Sequence, residues 1–532
     1  MPFHQLGLRR IAPLTTRIFR QQFRQTHLRT NNAMKVAVEG CCHGQLDAIY
    51  SHIHSLETQG NYKVDLLLIC GDFQAIRNHA DLQCMAVPHK YKELGGFYKY
   101  YTGEKVAPIL TIVIGGNHEA SNYMWELYHG GWLARNIYFL GHAGCVRVNG
   151  VRIAGASGIF KAHDFQKGMY EQLPYTPGSL RSIYHIREFN VRRLSLLSQP
   201  TIFLSHDWPQ SIEHYGNLQA LLSRKSFLRQ DISNGSLGSP PLMGLLRTLK
   251  PEWWFSAHLH ARYEATVVHE SPSAEGSVVA GEQAGGQGET KNPDEIAIDD
   301  DVFDSGTGGS ESSAAAQVTS TEVETPASPS VPAPPKQNPD EITLDDEEDT
   351  VEVLPPPSAP APVTTPRGPG QVTHFLALDK CLPKRQFLEV VDVSMPLSTT
   401  PSTSPPVLEF DPEWLAVTRA FHPWFSTTHH QAPFPDEAEA RAAVSTATQW
   451  VLENLQKNDP TRALLVDEVQ IFAPTAPAPV SPSPNTRVNS NDPQPPAYSN
   501  PQTEAFCRML EIENKINPDV GVGVGAVGGS GL

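Results

Sequence analysis

Five short motifs that contain histidine, cysteine or acidic residues occur in the first half of the chain, and each follows an apolar stretch. Imidazole nitrogen, carboxylate oxygen and thiolate sulfur are the protein ligands of divalent iron, zinc and manganese. The motifs are Gly-Cys-Cys-His-Gly at 40–44, Gly-Asp at 71–72, Gly-Gly-Asn-His-Glu at 115–119, Ser-His at 205–206 and Ala-His-Leu-His at 257–260. Together they offer enough ligands for two metal ions.

The apolar stretches before the motifs have the composition of buried β-strands. They lie at 35–38, 66–69, 109–114, 201–204 and 253–255, and segments with helical spacing, such as 45–57 and 183–197, lie between them. This alternation predicts an α/β domain of two sheets flanked by helices. Because strand ends in such sheets share an edge, the five motifs are expected to meet at one rim.

A pair of divalent ions held a few ångströms apart is a device for hydrolysing phosphate esters. Asp72 is the natural bridging carboxylate, and the amide oxygen of Asn117 would be a neutral ligand. Each motif alone has an ordinary alternative: a turn at Gly-Asp or Asn-His, half-buried histidines at 258 and 260, or small core residues at 41 and 42. Their joint occurrence after five predicted strands favours the metal centre.

The motif set resembles the calcineurin-like metallophosphoesterases, whose pattern is D-x-H, G-D-x-x, G-N-H-E/D, H and G-H-x-H. The middle three elements match in full, Ala257 replaces a glycine, and Cys41 stands where that family normally has aspartate. This departure and the residues around it, 36–44, resemble the RNA lariat debranching enzymes. So do 155–160 together with 179–187, and 373–383. The resemblance extends from about Met34 to Val393.

The resemblance implies a calcineurin-like two-sheet β-sandwich flanked by helices, with a smaller, mostly helical C-terminal domain and long disordered segments. It implies hydrolysis of the 2′–5′ phosphodiester bond at the branch point of excised intron lariats, an activity in mRNA splicing and intron turnover. Two divalent ions (Fe²⁺, Zn²⁺ or Mn²⁺) would be bound. One would be held by Cys41, His43, Asp72 and His260, and the other by Asp72, Asn117, His206 and His258.

Other roles follow from the same resemblance. His118 would be the general acid that protonates the departing 2′ oxygen, with Glu119 orienting it. The loop at 157–187 would recognise the lariat, with Arg181, Tyr184 and Arg187 binding phosphates or stacking on a base.

The segment 70–108 is rich in tyrosine and lysine, which fits either base stacking or a packed helical excursion.

Charge is distributed unevenly along the chain. Residues 270–370 contain 21 acidic and three basic residues, a net charge of −18, whereas the whole chain carries −16, so the rest carries +2. Few apolar residues occur in this segment, which predicts a disordered insert. A near-repeat at 292–301 and 338–347 fits either a strand-adding peptide for small ubiquitin-like modifiers or a duplicated acidic spacer. Spliceosome-associated proteins are possible partners of this insert.

The predicted domains are an Arg-rich extension at 1–33, a catalytic domain at 34–268, the acidic insert at 269–370, a C-terminal domain at 371–472 and a mostly disordered tail at 473–532 with a short helix near 504–516. The extension has six arginines and no acidic residue. It fits a mitochondrial presequence or an over-extended start, and Met34 is favoured as the functional start. The expected location is nuclear, with the cytoplasm as a further location, or mitochondrial if the extension is real.

Several classes of protein are disfavoured. Seven cysteines, two of them adjacent, do not make a secreted disulfide framework. No apolar run approaches the roughly 20 residues needed to span a bilayer. Two alternatives to lariat hydrolysis stay open at this point. One is another calcineurin-like phosphoesterase acting on phosphoproteins, nucleotides or DNA ends, and the other is a non-catalytic RNA-binding scaffold.

Overall fold

The parallel strands predicted before the motifs form the centres of two β-sheets. A computed structural model describes residues 33–269, 371–396, 405–479 and 492–517. The Arg-rich extension up to residue 32 and nearly all of the acidic insert, including both copies of the near-repeat, lie outside the described residues. Predictions about those segments therefore stay predictions.

The first sheet has six strands in the order β12-β1-β2-β3-β5-β4. Strands β1, β2, β3 and β5 run parallel, and the two edge strands β12 and β4 are antiparallel to their neighbours. The strands are β1 (Ala33–Glu39), β2 (Leu66–Ile69), β3 (Leu110–Val113), β4 (Gly131–Ala134), β5 (Ile137–Phe139) and β12 (Leu388–Ser394).

The second sheet has seven strands in the order β10-β11-β9-β8-β7-β6-β13. Strands β7, β8, β9 and β11 are parallel, and β6, β10 and β13 are antiparallel to their neighbours. The strands are β6 (Ala143–Val148), β7 (Val151–Ala156), β8 (Ile202–Ser205), β9 (Trp253–Ser256), β10 (Tyr263–Val268), β11 (Val372–Ala377) and β13 (Leu408–Phe410).

Side-chain alternation along the strands builds the layers. Val36 and Val38 of β1 pack into one core with Phe255 of β9, between the two sheets. The intervening Ala37 faces the other way and packs with the first helix, and Trp254 likewise faces helices outside the second sheet. The result is a helix–sheet–sheet–helix sandwich, as predicted from the sequence.

Twelve helices occur in the described residues, and several 3₁₀ turns connect them. The helices are α1 (Leu46–Gly60), α2 (Tyr98–Tyr101), α3 (Ser121–Glu126), α4 (Ala162–Phe165), α5 (Pro177–Ser182), α6 (Glu188–Ser195), α7 (Leu218–Arg224), α8 (Arg229–Asn234), α9 (Pro240–Leu249), α10 (Pro412–Phe421), α11 (Glu437–Asn454) and α12 (Pro501–Leu510). The 3₁₀ turns are Asp81–Cys84, His89–Tyr91, Ile212–Tyr215, Ser226–Leu228, His422–Trp424 and Val466–Glu468. Within the part of the chain that the structure covers, none of the helices is both long and apolar enough to cross a membrane.

The C-terminal part of the chain is built into the catalytic sheets. Strand β11 lies inside the second sheet, between β9 and β10, and β12 forms an edge of the first sheet by pairing with β1. The helical character predicted for the C-terminal region resides in α10, α11 and α12. Residues 371–394, the first part of the predicted C-terminal domain at 371–472, therefore complete the sandwich.

The predicted disordered tail also differs from the structure where the structure describes it. Its helix is α12, Pro501–Leu510, rather than 504–516. The Gln502 side chain accepts a hydrogen bond from the Trp132 amide (2.7 Å) and donates one to the Trp132 carbonyl (2.9 Å). The Tyr101 hydroxyl accepts from the amides of Thr475 (2.6 Å) and Ala476 (2.8 Å). These contacts are specific pairings that composition alone did not reveal.

A buried carboxylate anchors the start of α10. Asp411 accepts hydrogen bonds from Nε of Arg147 and of Arg152, both at 2.8 Å, and caps the helix by accepting from the Trp414 amide at 3.0 Å. Asp411 is fully buried. Burial alone would raise the pKa of this carboxyl, but the two guanidinium groups hold the pKa below its ordinary value.

We expect Asp411→Asn to lower the free energy of unfolding by on the order of 3 kcal/mol, because asparagine keeps the helix cap but removes the anion that Arg147 pairs with and one of the two anions that Arg152 pairs with, the other being Glu413. Since the folded-state pKa is depressed, this contribution is present above the unfolded pKa and is lost as pH falls through the folded pKa. The gap between wild type and variant should therefore narrow below about pH 4. Urea titrations at several pH values would measure it.

Asp436→Asn is the matched control, because Asp436 also caps a helix, by accepting from the Glu439 amide at 2.8 Å, but is exposed and makes no ion pair that the structure records. We expect a change within about 0.5 kcal/mol for this variant. Equal effects of the two substitutions would show that the Asp411 ion pairs contribute nothing beyond the cap.

Candidate metal centre

All five motifs lie at the carboxyl ends of parallel strands. Strands β1, β2 and β3 are neighbours in the first sheet, and β8 and β9 are neighbours in the second. The loops that follow them meet at one rim of the sandwich, as the sequence predicted. Asp72, Asn117 and His206 are buried there.

One group of donors surrounds one side of Asp72. A ligand atom from each of Cys41, His43, Asp72 and His260 lies within 4.8 Å of every other. Nε2 of His43 is 3.3 Å from Nε2 of His260 and 3.6 Å from Oδ2 of Asp72. These four residues are the set that the family resemblance assigned to the first ion.

A second group surrounds the other oxygen of Asp72. Nε2 of His206 lies 3.4 Å from Oδ1 of Asp72 and 3.1 Å from Oδ1 of Asn117. The His258 ring is 5.1 Å from the His206 ring, measured between centroids. These four residues are the set assigned to the second ion, so the structure brings all seven predicted ligands together around Asp72.

The donor chemistry fits divalent cations. Nδ1 of His206 donates to the Cys70 carbonyl at 2.7 Å, and its Nε2 lies 3.4 Å from Oδ1 of Asp72 and 3.1 Å from Oδ1 of Asn117. Three atoms of the kinds that bind metal ions therefore converge at this point. A histidine whose second nitrogen is fixed by a backbone carbonyl is the usual arrangement for a metal ligand.

Backbone strain is concentrated in the same residues. His43, Asp72, His258 and His260 all have positive φ values, of 44°, 46°, 61° and 47°. Such conformations are costly for residues other than glycine and are found where the surroundings impose them, often at functional sites. Four predicted ligands share this feature, which supports a function that requires their present placement.

Close approach explains one of the glycines. A Cβ atom on Gly116 would lie 2.2 Å from Oδ1 of Asp72 and 2.5 Å from its backbone nitrogen. No side chain fits at this position without moving Asp72. Gly116 thus allows the β3 loop to touch the β2 loop.

Electrostatics keep the ligands in their metal-binding forms. Burial alone would raise the pKa of Asp72, but His206, His118 and His43 hold the pKa well below its ordinary value. Burial lowers the pKa of His43 to about 4, of His258 to about 3 and of His260 to about 2, so these imidazoles are neutral near pH 7 and offer lone pairs.

Cys41 is the one ligand whose environment disfavours the binding form. Burial, and then the nearby Asp72 and Glu39 carboxylates, raise the pKa of the thiol well above its ordinary value. Its Sγ accepts a hydrogen bond from the His258 amide at 3.3 Å. A thiolate at this position therefore requires a cation beside it.

His118 lies directly against the shared carboxylate. Its amide donates to Oδ1 of Asp72 at 2.9 Å, and its Nδ1 lies 3.6 Å from Oδ2. Nε2 of His118 is buried and has no hydrogen-bond partner among the described residues. The ring is held at the metal centre but is not one of the two donor groups, as a general acid requires.

Glu119 has a different task from the one predicted. Its carboxylate accepts from the amides of Phe73 (2.8 Å), Gln74 (2.8 Å) and Gly116 (2.9 Å). The structure records no contact of this carboxylate with the His118 side chain. Glu119 therefore ties the β2 and β3 loops together, and the prediction that it orients His118 is corrected.

Comparisons with known proteins agree with this geometry. A family model described as "Calcineurin-like phosphoesterase" matches residues 34–262, and one described as "Lariat debranching enzyme, C-terminal domain" matches 370–515. A curated protein named "Lariat debranching enzyme" from Schizosaccharomyces pombe is 40% identical over 91% of this chain and 96% of its own length. The chain belongs to the lariat debranching enzyme family.

Relatives with the same name occur in vertebrates. The one from Danio rerio is 41% identical over 90% of this chain and 66% of its own length, and the one from Homo sapiens is 39% identical over 90% and 69%. The chain thus spans about two thirds of the vertebrate relatives that it matches. The family and the fold class predicted from the sequence are both confirmed, and the phosphoesterase domain implies the use of divalent metal ions.

The predicted recognition loop of this lariat debranching family member needs correction at Arg187. The side chain is fully buried, and its Nη2 donates to Oε1 of Glu171 at 2.5 Å and to the Ser182 carbonyl at 3.2 Å. A guanidinium group that is buried in this way cannot contact an RNA phosphate. Arg187 instead holds the loop in shape.

The other two predicted RNA contacts differ from each other. Tyr184 is 6% exposed and packs with Tyr175 and Ile159 inside the loop. Its carbonyl is so close to Gly158 that a Cβ there would be 1.8 Å away. Arg181, on α5, is exposed. Arg181 is therefore the one of the three that presents its side chain to solvent.

Most of the tyrosine-rich segment 70–108 packs against the rest of the catalytic domain. Tyr100 and Tyr101 are buried, and the Tyr100 hydroxyl donates to Oδ1 of Asp47 at 2.5 Å. Tyr91 alone among its tyrosines is 50% exposed, with Lys90 over its ring. The packing alternative therefore holds for the tyrosines of α2.

Two lysines near the centre were not singled out from the sequence. Burial is the main cause that lowers the pKa values of His43 and His260, and the nearby Lys380 ammonium lowers both further. Lys161 adds in the same way, after larger contributions, to the lowering of the His258 pKa. The only signal for Lys380 was its place inside the 373–383 resemblance.

We expect Arg187→Gln to lower the free energy of unfolding by on the order of 3 kcal/mol, because it leaves the buried Glu171 carboxylate without its cation. Arg181→Gln, an exposed change in the same loop, should alter it by no more than about 0.5 kcal/mol. Denaturant unfolding of both variants measures the difference. Similar stabilities for the two variants would refute the structural role of Arg187.

Proposed function

We propose that this protein hydrolyses the 2′–5′ phosphodiester bond at the branch point of excised intron lariats and thereby linearises them. The observation that carries the proposal is the arrangement around Asp72, where two four-residue donor groups share one carboxylate and His118 lies against it. The names of the relatives support the choice of substrate. The products would be a 2′-hydroxyl and a 5′-phosphate end.

The two donor groups fit one divalent ion each. Cys41, His43, Asp72 and His260 would hold the first, and Asp72, Asn117, His206 and His258 the second. When bound, two such ions supply Lewis acidity toward the phosphate and lower the pKa of a water molecule to near neutrality. Asp72 would also offset the repulsion between the two cations.

His118 would supply the proton for the leaving group. As the bond between phosphorus and the 2′ oxygen breaks, the oxygen would take a proton from the imidazole. The hydrogen bond from the His118 amide to Asp72 fixes the distance between the ring and the donor groups. Nδ1 of the same ring lies 3.6 Å from Oδ2 of Asp72.

Exposed or half-buried cations around the rim would bind the RNA backbone. Lys380 approaches from the C-terminal segment, Lys161 from the loop after β7, and Arg181 from α5. Lysine and arginine contacts to phosphate supply most of the affinity for a polyanion and weaken with salt. The small net charge of the chain outside the acidic insert is compatible with this role.

Cys41 bears on the identity of the ions. Thiolate is a softer ligand than the aspartate usual at this position and favours Fe²⁺ or Zn²⁺ over Mn²⁺ and Mg²⁺. We propose Fe²⁺ or Zn²⁺ at the Cys41 group, with Zn²⁺ or Mn²⁺ as candidates for the other. A location in the nucleus, where introns are excised, fits this function.

The acidic insert is a candidate interaction arm. Its 21 acidic residues against three basic ones suit contact with basic surfaces of spliceosome-associated proteins. The insert would then bring the enzyme to its substrate without taking part in catalysis.

His118→Ala should reduce the rate of debranching by roughly 10²- to 10⁴-fold while the bound metal is retained, because it removes the acid but no ligand. The assay is cleavage of a synthetic branched RNA by the full chain, followed by electrophoresis, with metal content measured on the same sample. His118→Gln serves as a second variant of closer size.

Two results would contradict the proposal. Loss of metal in the His118 variants would make His118 a ligand and remove its role as acid. Failure of the wild-type chain to cleave branched RNA under any of Mn²⁺, Fe²⁺ and Zn²⁺, with cleavage of another phosphoester intact, would assign it to a different phosphoesterase reaction.

We expect Cys41→Asp to shift the metal preference from Fe²⁺ and Zn²⁺ toward Mn²⁺ and Mg²⁺, because a hard carboxylate replaces a soft thiolate. The measurement is debranching activity of metal-free protein reconstituted with each ion in turn. Cys42→Ser is the matched control, since Cys42 is equally buried and adjacent but packs in the core outside the first sheet. An unchanged preference in Cys41→Asp would exclude direct ligation by Cys41.

A further inference from the structure

A third group of metal-type donors lies in the loop between β7 and α6, outside the two groups around Asp72. Nitrogen atoms of His163 and His185 and an oxygen of Asp164 all lie within 4.8 Å of one another. We propose that these three residues form a separate divalent-metal site of the zinc type. The site does not depend on the proposed reaction.

The geometry of the three donors suits one ion. Nδ1 of His185 is 2.7 Å and Nε2 of His163 is 3.2 Å from the same carboxylate oxygen, Oδ2 of Asp164. Ligands bound tetrahedrally to zinc at about 2.0–2.2 Å are themselves about 3.3–3.6 Å apart. The His163 separation is close to that value, and the shorter His185 contact, a hydrogen bond in this structure, would open by less than about 1 Å on binding.

Two of the ligands are already held in place. Asp164 and His185 are buried, at 1% and 5% exposure. Lys167 donates to the other carboxylate oxygen, Oδ1, at 2.8 Å, which fixes the orientation of Asp164 and leaves Oδ2 toward the two histidines. A carboxylate held in this way raises metal affinity, because its side chain loses less conformational entropy when the ion binds.

The third ligand lies on the solvent side of the site. The His163 side chain is 69% exposed, so it can turn onto an ion that reaches the Asp164–His185 pair. Three protein ligands leave a fourth position for water or for a ligand from solution. Two imidazoles and one carboxylate, with no sulfur, favour zinc and similar transition ions over Mg²⁺ or Ca²⁺.

An ion at this position would link the two ends of the recognition loop. Asp164 and His185 are 21 residues apart, and the chain between them includes α5 with Arg181. An ion that links the two ends would reduce the number of conformations that the loop can adopt and therefore its conformational entropy. Zinc would therefore stiffen the segment that we propose to face the RNA, without touching the catalytic centre.

The test uses the full chain and Co²⁺ as a spectroscopic substitute for Zn²⁺. Dialysed wild-type protein should bind about one more ion per chain than His163→Gln or Asp164→Asn. Because His163 is exposed, its variant should fold normally, and it keeps the test valid if Asp164→Asn does not. His54→Gln is the matched control, since His54 is also exposed and 3.9 Å from a carboxylate of Glu57, but belongs to no three-donor group that the structure shows.

Sulfur distinguishes this site from the catalytic centre. Cobalt at the Cys41 group would show thiolate-to-metal charge-transfer absorption, and cobalt at the His163 group would not. Cys41→Ser should therefore lose that absorption and still bind the ion that His163→Gln removes. Failure of the catalytic assignment and failure of this site thus give different spectra.

Zn²⁺ should also protect the 166–181 region from limited proteolysis in the wild type and in His54→Gln, but not in His163→Gln. Equal ion content in the wild type and His163→Gln would overturn the proposal. It would leave Asp164 as a partner of Lys167 and His185 only.

Discussion

The buried negative charge of Asp72 is the constraint on which the rest of the site depends. A carboxylate removed from water is unstable unless cations or hydrogen-bond donors surround it. Here the surroundings are the His118 amide at 2.9 Å and the rings of His43 and His206 at 3.6 and 3.4 Å. Hydrogen bonds and imidazole rings offset less of that charge than divalent cations do. The buried Asp72 carboxylate therefore requires metal ions beside it. The backbone strain in the loops that carry the neighbouring ligands is the energetic cost of holding those ligands around Asp72.

The sandwich also explains how a long insert is tolerated. Val268 at the end of β10 pairs with Val372 at the start of β11, so the two ends of the 269–370 segment are held together by strand pairing. Closing even a long loop costs little more than closing a short one once its ends are fixed. Strand β10 begins just after His260 and runs away from the metal rim. The described residues that flank the insert, His269 and Gln371, are joined by a backbone hydrogen bond of 2.8 Å and therefore lie at the edge opposite the catalytic centre.

The sequence predicted what local patterns determine and missed what depends on distant partners. Strand β2 was placed correctly at 66–69, and the ligand motifs were found because short spacings after strands carry their own signal. The burial of Arg187 depends on Glu171, and the role of Glu119 depends on amides 45 and 46 residues away, so neither is visible in local spacing. Alternation marked β11 as a strand but could not tell that it lies between β9 and β10, because register is set by the partner strands.

The C-terminal segment holds the backbone of Cys41 in place. The Cys41 amide donates to the Asp379 carbonyl at 3.4 Å, and its own carbonyl accepts from the Cys381 amide at 3.1 Å. A Cβ on the preceding Gly40 would lie 2.2 Å from the same Asp379 oxygen, so only glycine permits this contact. Residues 378–381 follow β11 directly and also deliver Lys380 to the rim. The strand that completes the second sheet thus fixes the position of the one sulfur ligand, which makes the C-terminal region part of the metal centre.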